Sequence, residues 1–163
     1  MKLKKLIEEI NVQTGILNEL LQVLERETAE MGDVNITAMN LSNETKEELI
    51  ARIAEHTPQL QQAVSELAVN NGLPESATLG IVAQHVAKRG ARELLTKQKE
   101  IQRTAERVQQ VAVLNREIAE RFAASVATSL NLITRLINQS NVYGASGGYQ
   151  QRPTGAVMIN REV

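Results

Sequence analysis

Apolar residues recur along this chain with the period of helices that pack on helices. In the first segment Leu3, Ile10, Leu17, Leu24 and Met31 fall seven apart, with Leu6/Ile7 and Leu20/Leu21 between them. That is a heptad seam, and it predicts one long helix ending near Gly32. The seam has two polar interruptions, Gln13/Thr14 and Glu27/Thr28. Asp33, Asn35, Asn40, Ser42 and Asn43 supply turn chemistry, so residues 33–43 are expected to be a connection. Ser42, Asn43 or Thr45, the last with Glu48 three residues on, is then expected to cap a second helix.

That second helix carries Leu49, Ile53, His56, Leu60, Ala63 and Leu67 in alternating steps of four and three. Pro58 interrupts it, and a kink or short break is expected there. Asn70-Asn71-Gly72-Leu73-Pro74 is a stop signal. A short helix from about Ser76 to Lys88 follows, and Gly90 either separates it from the next element or sits inside one continuous helix. Residues 91–140 hold neither Pro nor Gly and predict one very long helix. Its seam runs Leu94, Ile101, Val108, Asn115, Phe122, Ser129, Leu136. After Ser140 the periodicity stops. Residues 141–163 hold Tyr143, Gly144, Gly147, Gly148 and Tyr149 and are expected to be a flexible tail. The fold class is therefore all-α: an elongated antiparallel helical bundle of about three long helices plus a short one. The division is a bundle domain over 1–140 and a tail over 141–163.

Composition supports helices over sheet. Of 163 residues only 2% are aromatic, one Phe and two Tyr. Strands favour aromatic and β-branched residues, whereas aliphatic helical cores need no aromatics. Cysteine is absent, which excludes disulfides and thiolate chemistry and is compatible with the cytoplasm, the expected location. The run Phe122–Thr134 is uncharged but has 13 residues, too few for a membrane span. Glu8 and Glu9 follow the basic start and argue against a secretory signal.

Catalytic equipment is sparse. Asp33 is the one Asp, and neither His56 nor His85 has an acid three residues before it, so the Glu-x-x-His pattern of di-iron bundles is missing. No Gly-rich phosphate loop is present. The reading is a protein without enzymatic activity, cofactor or metal. His56 reads as a partly buried core residue. Asn115 reads either as a solvent-edge or register-setting polar residue or as an anchor facing a partner. Residues 1–70 carry 6 basic and 12 acidic side chains, and residues 71–163 carry 12 basic and 7 acidic. The basic stretch Lys88–Arg107 is expected to pair with the acidic first half rather than bind nucleic acid, since no aromatic precedes residue 122.

The segment Ile118, Phe122, Val126, Ala127, Leu130, Leu132, Ile133, Leu136, Ile137 is apolar over more of the helix than one seam requires. Either other helices of the bundle cover it, or it takes an amphipathic helix from another protein. Tyr143 and Tyr149 in the Gly-rich tail suit an interface anchor.

These elements together resemble the FlgN family of flagellar type III export chaperones. The resemblance rests on Leu114-Asn115-Arg116-Glu117-Ile118, about 20 residues of amphipathic helix, and Tyr143-Gly144-Ala145-Ser146-Gly147, which is similar to the family's Tyr-Gly-x-x-Gly ending. A heptad helix ending Leu24-Glu25-Arg26-Glu27 and the placement of Lys46 add to it, and the likeness covers most of residues 3–147. Two departures stand out. Glu27-Thr28-Ala29-Glu30-Met31 only approximates the family's Glu-x-x-Ala-Leu, and the chain runs 16 residues past Gly147.

The resemblance implies an adaptor that binds the helical C-terminal segments of hook-associated proteins, prevents their early assembly and brings them to the export gate. It implies client binding by Ile118, Phe122, Val126, Leu130, Ile133, Leu136 and Ile137, and gate docking by Tyr143, Gly144 and Gly147. The alternative reading is a structural coiled-coil oligomerisation protein without an export role.

Overall fold

In the computed structural model the described residues are 1–139, with side chains described through residue 137. They form four helices: α1 (Lys2–Gly32), α2 (Ile36–Asn70), α3 (Leu79–Lys88) and α4 (Glu93–Gln139). Three are long and one is short, as the periodicity predicts. The chain divides into two compact units, Met1–Ala119 and Glu120 onward.

In the first unit α1 and α2 pack antiparallel. Cross-helix pairs step in opposite directions along the two: Lys2 with Asn70, Lys5 with Glu66, Glu19 with Arg52, Glu27 with Lys46, Glu30 with Ser42. The first part of α4 runs parallel to α1. Leu94 lies in the same core as Leu6, Ile7 and Ile10, whereas Val111 lies with Ile16, Leu20 and Leu24. The topology is up, down, and up again, with α3 closing one end.

The connection between α1 and α2 is much shorter than expected. Asn35 caps α2, its Oδ1 accepting from the amide of Ala38 at 3.1 Å. Residues 36–43 are therefore helical, and Thr45 is no cap; its hydroxyl donates back to the Leu41 carbonyl. Tertiary contact overrides the turn propensity of this stretch, because Ser42 is buried and donates to Glu30 at 2.7 Å.

A shared device ends the first three helices. The amide of the second residue past each C-cap bonds five residues back: Asn35 to Glu30, Leu73 to Ala68, Ala91 to Val86. The residue before each of these amides is left-handed, with φ 53° at Val34, 73° at Gly72 and 102° at Gly90. These are Schellman closures, which ordinarily place glycine at the left-handed position. The first uses Val34 instead, and Gly32, the expected stop, is the last residue of α1. Pro58 breaks nothing: α2 runs through it, and both Pro58 and Ala54, whose carbonyl loses its amide partner, are exposed.

Two apolar blocks make the core. One holds Leu6, Ile7, Ile10, Ala63, Leu67, Ala68, Val82, Ala83, Val86 and Leu94. The other holds Ile16, Leu20, Val23, Leu24, Leu49 and Val111. Of the polar interruptions of the α1 seam, Gln13, Thr14 and Glu27 are buried and Thr28 is half-buried.

Candidate interaction site

The first interruption lies between the two blocks along α1. His56 reaches across from α2, its Nδ1 2.6 Å from Gln13 Oε1 and its Nε2 2.7 Å from Glu9 Oε2. Gln13 and His56 are both buried. The expectation of a core histidine is met, with two named partners. Thr14 is satisfied locally, donating to the Ile10 carbonyl at 2.7 Å.

The second interruption joins three helices. Glu27 is only 7% exposed and pairs with Lys46 of α2. Asn115 of α4 is 5% exposed. Its Nδ2 donates to the Leu24 carbonyl at 2.8 Å and to Glu27 Oε2 at 2.9 Å. Its Oδ1 accepts from the Thr28 hydroxyl at 2.6 Å. Asn115 is thus a register-setting polar residue inside the bundle and is spent there. Of the basic stretch, Arg107 pairs with Glu25 of the acidic first half at 3.3 Å, while Lys97 pairs along its own helix with Glu100.

Past this layer the character of α4 changes. Ile118, still in the first unit, is half-buried. In the second unit Phe122, Val126, Leu130, Ile133, Leu136 and Ile137 are exposed, Phe122 by 52%. Leu132, on the same run, is exposed as well. These large apolar side chains are grouped along one helix rather than scattered singly. The sequence pattern finds these residues, but it leaves open whether the bundle covers them. Tyr143, Gly144 and Gly147 lie outside the described residues.

Among the described residues no group of three or more His, Cys, Asp or Glu is placed to hold a metal ion. No described helix is long and apolar enough to cross a membrane.

The first unit is a helical bundle crossed by buried polar layers, and the second carries an exposed apolar stripe on α4. A protein-family model, that of the FlgN protein, matches residues 1–151, and the chain belongs to the FlgN family. Membership places it among the flagellar export chaperones for hook-associated proteins, which are cytoplasmic and non-enzymatic. No curated protein and no solved structure matches the chain.

Proposed function

We propose that the chaperone holds its hook-associated client on the exposed stripe of α4, with Phe122, Val126, Leu130, Ile133, Leu136 and Ile137 as contacts and Ile118 at its near end. The observation that carries this is the exposure of those six side chains on a helix whose earlier seam positions are buried or half-buried. Exposed leucine, isoleucine and phenylalanine side chains lose unfavourable contact with water when an amphipathic client helix lies against them. The same client segment is thereby kept from associating early with its own assembly partners. The Tyr143, Gly144 and Gly147 segment is the docking element for the export gate, because tyrosine brings a large contact area at low entropic cost.

Two variants test the two halves of this reading. Phe122→Glu is expected to lower affinity for the C-terminal segment of the organism's hook-associated proteins by about tenfold or more while leaving helicity unchanged. Tyr143→Ala is expected to leave that affinity intact and to weaken capture by the purified export-gate component. Undiminished client affinity in the first variant sinks the stripe assignment, and undiminished gate capture in the second removes the tail from docking.

A further inference from the structure

Each helical residue turns about 100° around the axis. With Phe122 as the centre line, Ile133 falls about 20°, Val126 about 40°, Ile137 about 60° and Leu130 about 80° to one side. Leu136 falls about 40° and Leu132 about 80° to the other. The apolar arc therefore spans about 160°, well beyond the width of about 100° that already suffices to face one packing surface. Leu130 and Leu132, at its two edges, are 52% and 55% exposed.

The residues that punctuate the arc do not make it polar. Ser129, about 20° from the centre line, donates its hydroxyl to the Ser125 carbonyl at 3.0 Å. Ser125 lies about 60° from the centre line on the same side, and Thr128, whose hydroxyl donates to the Ala124 carbonyl at 3.0 Å, lies about 120° away and outside the arc. Hydroxyls already bonded to their own helix lose little when a partner excludes water. Alanines 123, 124 and 127 continue the surface around the helix and let another helix approach closely. No charged residue lies within the arc; Arg121 and Arg135 fall about 100° and about 140° from the centre line, on the Leu132 side.

From this we infer that the client contributes two helical faces, one on each side of the Phe122–Ile133 line, and that both are read without charge. The inference rests on the stripe being the client site. A single helix packing at 8–10 Å covers one flank and leaves the other leucine in water. The chemistry that fits is a pair of amphipathic helices, or a helical hairpin, whose contacting faces are aliphatic with small uncharged flanks.

The test uses the full-length chain and the helical C-terminal segment of a hook-associated protein, supplied whole and as its separate helices, with affinity read by calorimetry. Leu130→Glu and Leu132→Glu are each expected to cost about tenfold or more in affinity for the whole segment. Asn131→Glu, at the back of the same turn, serves as the control and is expected to bind as wild type. Raising salt from about 0.05 M to about 0.5 M is expected to leave wild-type affinity within about twofold, since there are no ion pairs to screen.

Wild-type binding that Leu132→Glu leaves unchanged, or a single helix that binds as tightly as the whole segment, overturns the two-faced occupant and spares the client site. A steep loss with salt overturns the charge-free reading in the same way. A wild-type chain that does not bind the segment at all overturns both. A dimer of the free chain that the client segment does not dissociate, weakened by both leucine variants, gives the faces to a second copy and overturns the inference.

Discussion

Removing the Asn115 side chain is the sharpest probe of how the bundle keeps its register. Asn115→Ala deletes three hydrogen bonds, to Glu27, Leu24 and Thr28. The losses are unequal. The single Thr28 hydroxyl proton, within reach of both Asn115 Oδ1 and the Leu24 carbonyl, turns to that carbonyl at 3.0 Å, so that carbonyl and that hydroxyl both remain partnered. Glu27 keeps Lys46 on Oε1 but has no replacement for Asn115 on Oε2. A bond to a charged group contributes about 1.5–3 kcal/mol and a neutral one about 1, which gives a total near 2–4 kcal/mol.

Urea unfolding followed by far-UV circular dichroism reads this directly. For an m value of about 1.5 kcal/mol per molar, the midpoint is expected to fall by about 1.5–2.5 M with m unchanged. Asn115→Leu should not rescue it, because the apolar side chain still strands Glu27. The double variant with Glu27→Ala should cost less than the two singles together, since the carboxylate that needed Asn115 is gone. A change below about 0.5 kcal/mol for Asn115→Ala, or singles that simply add, would refute the three-helix layer.

Other substitutions separate the local causes. Val34→Gly is expected to stabilise by about 1 kcal/mol, since a β-branched residue holds the left-handed position that glycine fills in the two later closures; a lower urea midpoint would deny the strain. Gly15→Ala places a methyl group in open space within α1 and should raise stability by about 1 kcal/mol, read as a higher thermal midpoint. Gly90→Ala meets no neighbour either, but its φ of 102° makes the same change destabilising, so these two alanines should move the midpoint in opposite directions. Leu94→Ala empties a fully buried position that packs with Leu6 and Val82 and should cost about 2–5 kcal/mol in the same urea assay.

The long helices were readable because a seam repeated over many turns averages out local noise. Leu94, Ile101, Val108 and Asn115 lie where the α4 seam puts them, buried or half-buried. The α1 seam was less complete. Ile16 and Val23 are buried although they fall beside the heptad line, while Leu17 and Met31 on that line are only half-buried. A helix that packs against two neighbours buries two overlapping stripes, and a single repeat captures one of them. The start of α2 was hidden for another reason. Asn40, Ser42 and Asn43 carry turn propensity, and only the contact from Ser42 to Glu30 decides for helix. Likewise Gln13 and Glu27 looked like flaws in the seam, because their partners His56, Lys46 and Asn115 stand 19 to 88 residues away in the chain. For the candidate site, the sequence located the apolar residues, whereas their exposure is a property of the folded chain alone.

The short link through Asp33, Val34 and Asn35 has a temporal consequence. It makes the α1–α2 pair an assembly of near neighbours in sequence, and such pairings form fast because little chain entropy is lost in closing them. Both helices are complete by Asn70, before Glu93 opens α4. Synthesis proceeds at about 5–20 residues per second, slower by far than helix pairing. The hairpin can therefore be waiting, with Glu27 and Lys46 already joined, when Asn115 leaves the ribosome. The sticky turns around Phe122 are made after that pairing has formed, which limits the time in which those turns could be drawn into the wrong core.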